Sequence, residues 1–175
     1  MKKCWQISLV ATWAIAMIVL MYLLAQNNQV NFDPDGRLML ASMSLDFDSQ
    51  VIDAFYPIQQ QTKGTVFHLT DENCGCNPLS RSHIRKLDKL FMANRFTVHT
   101  VDLAQYPTLA SIIPSIPAII IFDQQGGLGY LGPYSSGFFC SPNTSMIETV
   151  ADSIIHNRHI GATVISDSTG CYCRV

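Results

Sequence analysis

The hydrophobic pattern divides the chain into one unbroken apolar block and a long stretch of short periodic pieces. From Trp5 to Ala25 only Gln6, Ser8 and Thr12 are polar, and no charge occurs. About twenty residues rising 1.5 Å each cover a bilayer core of about 30 Å. Residues 1–25 are therefore expected to be a transmembrane signal anchor. "QNNQVNFDPDGR" at 26–37 is polar and turn-rich, which reads as a linker. Beyond it "LMLASMSL" at 38–45 predicts a strand. "DFDSQVIDAFYPI" follows with Phe47, Val51, Phe55 and Ile58 on one helical face. "GTVFHLT" at 64–70 is β-branched and aromatic and predicts a strand. "NPLSRSHIRKLDKLFMAN" places Ile84, Leu87, Leu90 and Phe91 on one helix face, with Asn77 and Pro78 suited to N-cap and N1. "RFTVHTVDL" predicts a strand and "YPTLASII" a short helix. "PAIIIF" predicts a buried strand, turned by "DQQGG" into "LGYLG". A last helix carries Met146, Ile147, Val150, Ile154 and Ile155 inward and stops at Gly161.

The order β-α-β-α-β-α-β-β-α implies parallel pairing through right-handed crossovers, closed by an antiparallel hairpin. The fold class is α/β with a mixed sheet, over residues 38–160. A tail of 161–175 remains, in which "ATVISDST" either adds an edge strand or stays mobile.

Charge refines the picture of the first block. Lys2 and Lys3 precede it, so the positive-inside rule holds the N-terminus in the cytoplasm and exports the rest. The expected location is the inner (cytoplasmic) membrane, single-pass, with the C-terminal domain facing the periplasm or cell exterior. A cleaved signal peptide competes, but Leu23 breaks the small-x-small pattern near the end of the block. Cys4 precedes the block, unlike a lipoprotein cysteine. The net charge of −2, with no basic patch interleaved with aromatics, argues against nucleic acid as a partner.

Cysteine usage supplies the candidate chemistry. Cys74, Cys76, Cys140, Cys171 and Cys173 follow the span, where disulfides persist if the domain is exported. Five is odd, so at least one thiol is free, transient or intermolecular. The one-residue spacing of "NCGCN" recurs in "GCYCRV". Three roles stay open for the second pair. It relays electrons by exchange with Cys74 and Cys76, or Cys140 pairs with Cys171 or Cys173 and pins the tail, or it binds a metal.

Three features in order give the chain a likeness to a known fold. A strand, "TVFHLT", leads to a cysteine pair at a helix start. About forty residues after Cys76, "SIPAIIIF" at 115–122 opens a buried strand at Pro117. Gly132 ends the next strand. In these the sequence resembles the thioredoxin superfamily over roughly 38–158, and it also resembles membrane-anchored envelope proteins of that fold. The resemblance implies a thioredoxin-like three-layer sandwich with a mixed sheet, preceded by the transmembrane helix. It implies that Cys74 attacks and Cys76 resolves, since a thiol at a helix N-terminus is more readily ionised. It implies that Pro117 is cis and that Ile116 offers its backbone to an extended substrate by strand addition. His68, six residues before Cys74, stands where many relatives keep a buried acid that moves protons for the resolving thiol. The chain departs from the family in its one-residue spacer and in Asn73, where the family has tryptophan. A disulfide across Gly75 would close a strained ring and be oxidising or isomerising in tendency. The departure leaves open which cysteine attacks and whether the two pair with each other.

The function expected is membrane-anchored thiol–disulfide exchange, as an oxidoreductase or isomerase acting on protein thiols, with no cofactor and no metal in its site. Two alternatives stand beside it. One is a Cu(I)-binding metallochaperone using Cys74, Cys76 and a histidine, with Met39, Met43 and Met92 as soft candidates that more often pack cores. The other is a binding module whose disulfides are only staples. Asp102 and Asp123 read as turn or cap residues, and His83 and His99 have no partner readable in sequence.

Overall fold

The computed structural model describes residues 2–27, 29–59, 62–137, 145 and 147–175. Helix α1, Lys2–Asn27, carries a span Trp5–Leu24 long and apolar enough to cross a membrane, and none of it is buried against the rest of the chain. The remaining elements are β1 (Val30–Asn31), α2 (Arg37–Ser42), α3 (Phe47–Phe55), β2 (Thr65–Thr70), α4 (Asn77–Ala93) and β3 (Thr97–Asp102). A 3₁₀ turn, Leu103–Gln105, leads to α5 (Pro107–Ala110). Then come β4 (Ser115–Ile116), β5 (Ala118–Phe122), β6 (Leu128–Pro133), α6 (Ile147–Ile155), β7 (Thr163–Val164), β8 (Thr169–Gly170) and β9 (Cys173–Arg174).

The central sheet has the order β3-β2-β5-β6-β7 and is mixed: β2 runs parallel to β3, β5 antiparallel to β2 and β6, and β7 parallel to β6. Strand alternation sends Phe67, Ile120 and Phe122 to one face, where they meet Val51 and Phe55 of α3. Phe55 lies 4.7 Å from Phe67 and 5.8 Å from Phe122, centroid to centroid. Val66, Ile119 and Ile121 point to the other face, against Leu87 and Phe91 of α4 and Ile147 and Ile154 of α6. Burying each such side chain contributes about 1.5–3 kcal/mol, so the two apolar faces dictate the three layers. Helix α4 ends where Arg95 takes a left-handed conformation (φ 66°) and Phe96 N–H donates back to the Phe91 carbonyl.

The structure corrects the first predicted strand. Residues 37–42 form a helix, and Met39 N–H donates to the Asp33 carboxylate. A short apolar run of Leu, Met and Ala suits either state, and the sheet edge beside β6 is filled from the C-terminus by β7, so "ATVISDST" does add an edge strand. Met39 and Met43 are in consequence exposed, as is Met92 on α4, rather than packed in the core. The segment read as a linker is also part of the fold. β1 pairs antiparallel with β8, and Phe32 is fully buried. The inward set of the last helix is Ile147, Ala151 and Ile154, and the expectation for Met146 falls outside the described residues.

Candidate functional site

The loop between β2 and α4 places the first cysteine pair. Asp71 organises it: its carboxylate accepts from Asn73 N–H, and its carbonyl accepts from Cys74 N–H and from the Asn77 side-chain amide. Cys76 stands at the N-cap of α4, with Pro78 in the first turn. Cys74 and Cys76 are 5 % and 7 % exposed. Across from them the Ile116–Pro117 peptide bond is cis, and Cys74 Sγ lies 3.8 Å from the Ile116 carbonyl oxygen.

The two cysteines are not bonded to each other. Cys74 is joined to Cys173 and Cys76 to Cys171, with chain separations of 99 and 95 residues. The expected pairing of Cys140 with a tail cysteine is thereby excluded, since Cys171 and Cys173 are both committed to the β2–α4 loop. Cys140 itself lies outside the described residues.

Cys173 arrives on β9, which pairs antiparallel with β4. Cys173 stands opposite Ile116 and Arg174 opposite Ser115, and Val175 N–H continues the ladder to the Pro114 carbonyl. The backbone edge expected to receive an extended partner is therefore covered by the chain's own C-terminus. The side chain between the tail cysteines secures it. Tyr172 is buried, its hydroxyl donates to the Ser135 carbonyl at 2.8 Å and meets the Ser168 hydroxyl at 2.8 Å, and its ring sits edge-on to Phe32 at 5.3 Å. Arg174 adds an ion pair to Asp35. Phe32, Ser135, Ser168 and Tyr172 were missed in sequence. Local pattern does not mark Tyr172, because it lies between β8, which ends at Gly170, and β9, which begins at Cys173.

An open cleft of about 550 Å³ runs along the start of α4, with Glu72, Asn73, Cys74, Gly75 and Arg81 among its walls. It reaches Cys74, whereas neither tail cysteine lines it. A Cβ at Gly75 would meet nothing within 4 Å, so the loop leaves that side clear.

His68 is buried and both its ring nitrogens are engaged. Nε2 meets the Asp88 carboxylate at 2.7 Å and Nδ1 the Tyr134 hydroxyl at 2.6 Å. Burial pushes its pKa down, against the pull of Asp88. The neutral ring then donates from Nε2 and accepts from Tyr134. Moving a proton for Cys76 would require one of these bonds to break, and no hydrogen bond joins His68 to a cysteine among the described residues. His83 is likewise buried, held by Glu148 at 2.9 Å, and burial lowers its pKa too. The two acidic turn residues read from the sequence act as such: Asp102 accepts from Ala104 N–H, and Asp123 from the backbone of Gln125 and Gly127.

Three sulfurs, those of Cys74, Cys76 and Cys173, lie within 4.8 Å of one another. Chemically the site can exchange a disulfide at Cys74 or, once reduced, gather several thiolates. Comparison with curated proteins and with solved structures gives no match. A family model does match, over residues 44–175, and this span contains both C-x-C pairs, Pro117 and the β9 tail. The chain belongs to the family described as a domain of unknown function (DUF6436).

Proposed function

We propose that this protein is a membrane-anchored thiol–disulfide exchange protein whose reactive bond is Cys74–Cys173. The observation that carries the reading is the placement of the tail. It lies as an extended partner strand would, antiparallel on Ser115–Ile116, with its cysteine bonded to the cysteine at the helix start. In this reading the C-terminus is a built-in exchange partner, and the fold is of the thioredoxin kind that the sequence resembles. The anchor is the apolar α1, with Lys2 and Lys3 on the cytoplasmic side. The domain works in the oxidising space beyond, where two disulfides persist.

The step balances as follows. A substrate thiolate enters by the cleft and attacks Cys74 Sγ, forming a mixed disulfide and releasing the Cys173 thiolate. A second substrate thiolate attacks the substrate sulfur of that bond and releases the Cys74 thiolate. The substrate dithiol has become a disulfide, and Cys74–Cys173 has become two thiols. The reverse sequence reduces a substrate disulfide, and the direction follows the partner's reduction potential. Cys76–Cys171 and Tyr172 hold the departing Cys173 nearby throughout.

The burial of Cys74 as well as of Cys76 and Cys171 favours the staple-only reading as the rival. One experiment separates them. Oxidised full-length protein in detergent micelles is mixed with a reduced dithiol peptide, quenched with acid and mapped by peptide mass. Exchange predicts one peptide disulfide for every two new thiols, one at Cys74 and one at Cys173, and none in the Cys74→Ser/Cys173→Ser variant. Equal peptide oxidation in that variant, or none in the parent, overturns the exchange reading.

A further inference from the structure

We infer that the fully reduced protein is a zinc-type metal site, with the thiolates of Cys74, Cys76, Cys171 and Cys173 as its ligands. The inference does not require that the disulfides be exchanged with a substrate. It requires only that a dithiol reductant convert both to thiols, each disulfide taking two electrons and two protons from one dithiol.

Contacts other than the sulfur–sulfur bonds hold the tail. The β4–β9 ladder, the buried Tyr172 with its two hydroxyl contacts, the β1–β8 pairing and the Phe32–Tyr172 ring contact are independent of the sulfurs. Reduction therefore leaves four thiols facing one another rather than releasing the strand. Three of the sulfurs already lie within 4.8 Å of one another, and the fourth, of Cys171, is bonded to one of them. A tetrahedral zinc with Zn–S bonds of about 2.3 Å sets its sulfurs about 3.8 Å apart. The bonded pairs must open by about that spacing less a disulfide bond length, Cys76 Sγ must close on those of Cys74 and Cys173 by about an ångström at most, and Cys171 Sγ must swing in from its bond to Cys76. Side-chain rotation supplies movement of this size.

The donor set selects the ion. Four soft thiolates and no carboxylate favour a d¹⁰ thiophilic cation over magnesium or calcium. A closed set of four protein ligands is the pattern of a structural zinc, because four thiolates leave water no ligand position. Binding displaces the thiol protons, so uptake of metal releases acid.

The test uses full-length protein in detergent micelles with Cys4 and Cys140 changed to serine, so that only the four site thiols remain. The protein is reduced with a dithiol, freed of it without air, and titrated with Co²⁺ as the optical probe and then with Zn²⁺. The expected result is one Co²⁺ per chain with the charge-transfer and d–d bands of a tetrathiolate, displaced by one Zn²⁺, and no uptake by the oxidised protein. Cys173→Ser should lose a sulfur from the spectrum. Tyr172→Ala, with the four thiols intact, should bind about 10–100-fold more weakly, as loss of ligand support does elsewhere. No stoichiometric uptake by the reduced protein overturns the inference. An unchanged tetrathiolate spectrum in Cys171→Ser/Cys173→Ser, or unchanged affinity in Tyr172→Ala, overturns the assignment of the tail to the site.

Discussion

The two disulfides are nested, and this fixes how their removal should add. Cys76–Cys171 lies inside Cys74–Cys173, with only Gly75 between the cysteines on one arm and Tyr172 between them on the other. Closing the first cross-link on the unfolded chain joins ends about 100 residues apart. By the loop-closure relation this is worth about 4.7 kcal/mol at 25 °C. Closing the second then seals a ring of about six residues, worth only about 2 kcal/mol by the same relation. Either cross-link can be the long one once the other is absent. The Cys74→Ser/Cys173→Ser and Cys76→Ser/Cys171→Ser variants should each lose about 2 kcal/mol, whereas the fourfold variant should lose about 7 kcal/mol. The assay is a urea titration of the full chain in a mild detergent, followed by far-ultraviolet circular dichroism under oxidising conditions. Strict additivity, with the fourfold loss equal to the sum of the two pairwise losses, would refute the nested arrangement.

Other expectations follow from particular contacts. A Cβ at Gly170 would stand 2.9 Å from the Tyr172 ring and 3.0 Å from the Gly137 carbonyl oxygen, so Gly170→Ala should cost about 1–3 kcal/mol in thermal unfolding and loosen the tail. Arg95 sits at φ 66° in the last-turn closure of α4, so Arg95→Gly should leave stability unchanged or raise it by up to about 1 kcal/mol in the same melt. Burial depresses His68 and His83, so the unfolded chain binds more protons than the folded one below about pH 6.5. Their contribution is complete above that pH and is lost as pH falls toward the folded values, by up to about 1.4 kcal/mol per pH unit for each. Glu148, held below the usual carboxylate range by Ser145, its own backbone amide, His83 and Lys86 despite its partial burial, adds a loss in the same direction at lower pH. Denaturant midpoints that stay level from about pH 7.5 to about pH 5 would contradict this.

Most of the sheet was legible because its strands carry strong local signals. "TVFHLT" and "PAIIIF" are β-branched runs bounded by turn residues, and they became β2 and β5 with few changes at the ends. Helices α3 and α4 were legible from their 3.6-residue spacing, as was the "DQQGG" hairpin from its turn chemistry. The strand expected at 38–45 failed because Leu, Met and Ala fit a helix as readily. There the chain folds as α2, with Met39 N–H held by the Asp33 carboxylate, and β3 remains an edge strand with no further neighbour among the described residues. The role of Phe32 was invisible for a related reason, since a lone aromatic in a turn-rich segment shows its burial only when β8 and Tyr172 reach it. At the site, the cysteine pair, Ile116 and Pro117 were found in sequence and stand together in the fold. The connectivity of the cysteines was not legible, because spacing along the chain says nothing about which strand the tail adopts.

In the proposed mechanism Cys74–Cys173 is the bond open to exchange, while Cys76–Cys171 is a staple. Equilibrating the full-length protein in graded glutathione buffers, trapping thiols and mapping them by peptide mass separates the two. Cys74 and Cys173 should become free together at the milder potential, with glutathione caught on Cys74, while Cys76 and Cys171 remain bonded. Cys76–Cys171 opening first, or glutathione caught on Cys76 instead, would contradict this mechanism.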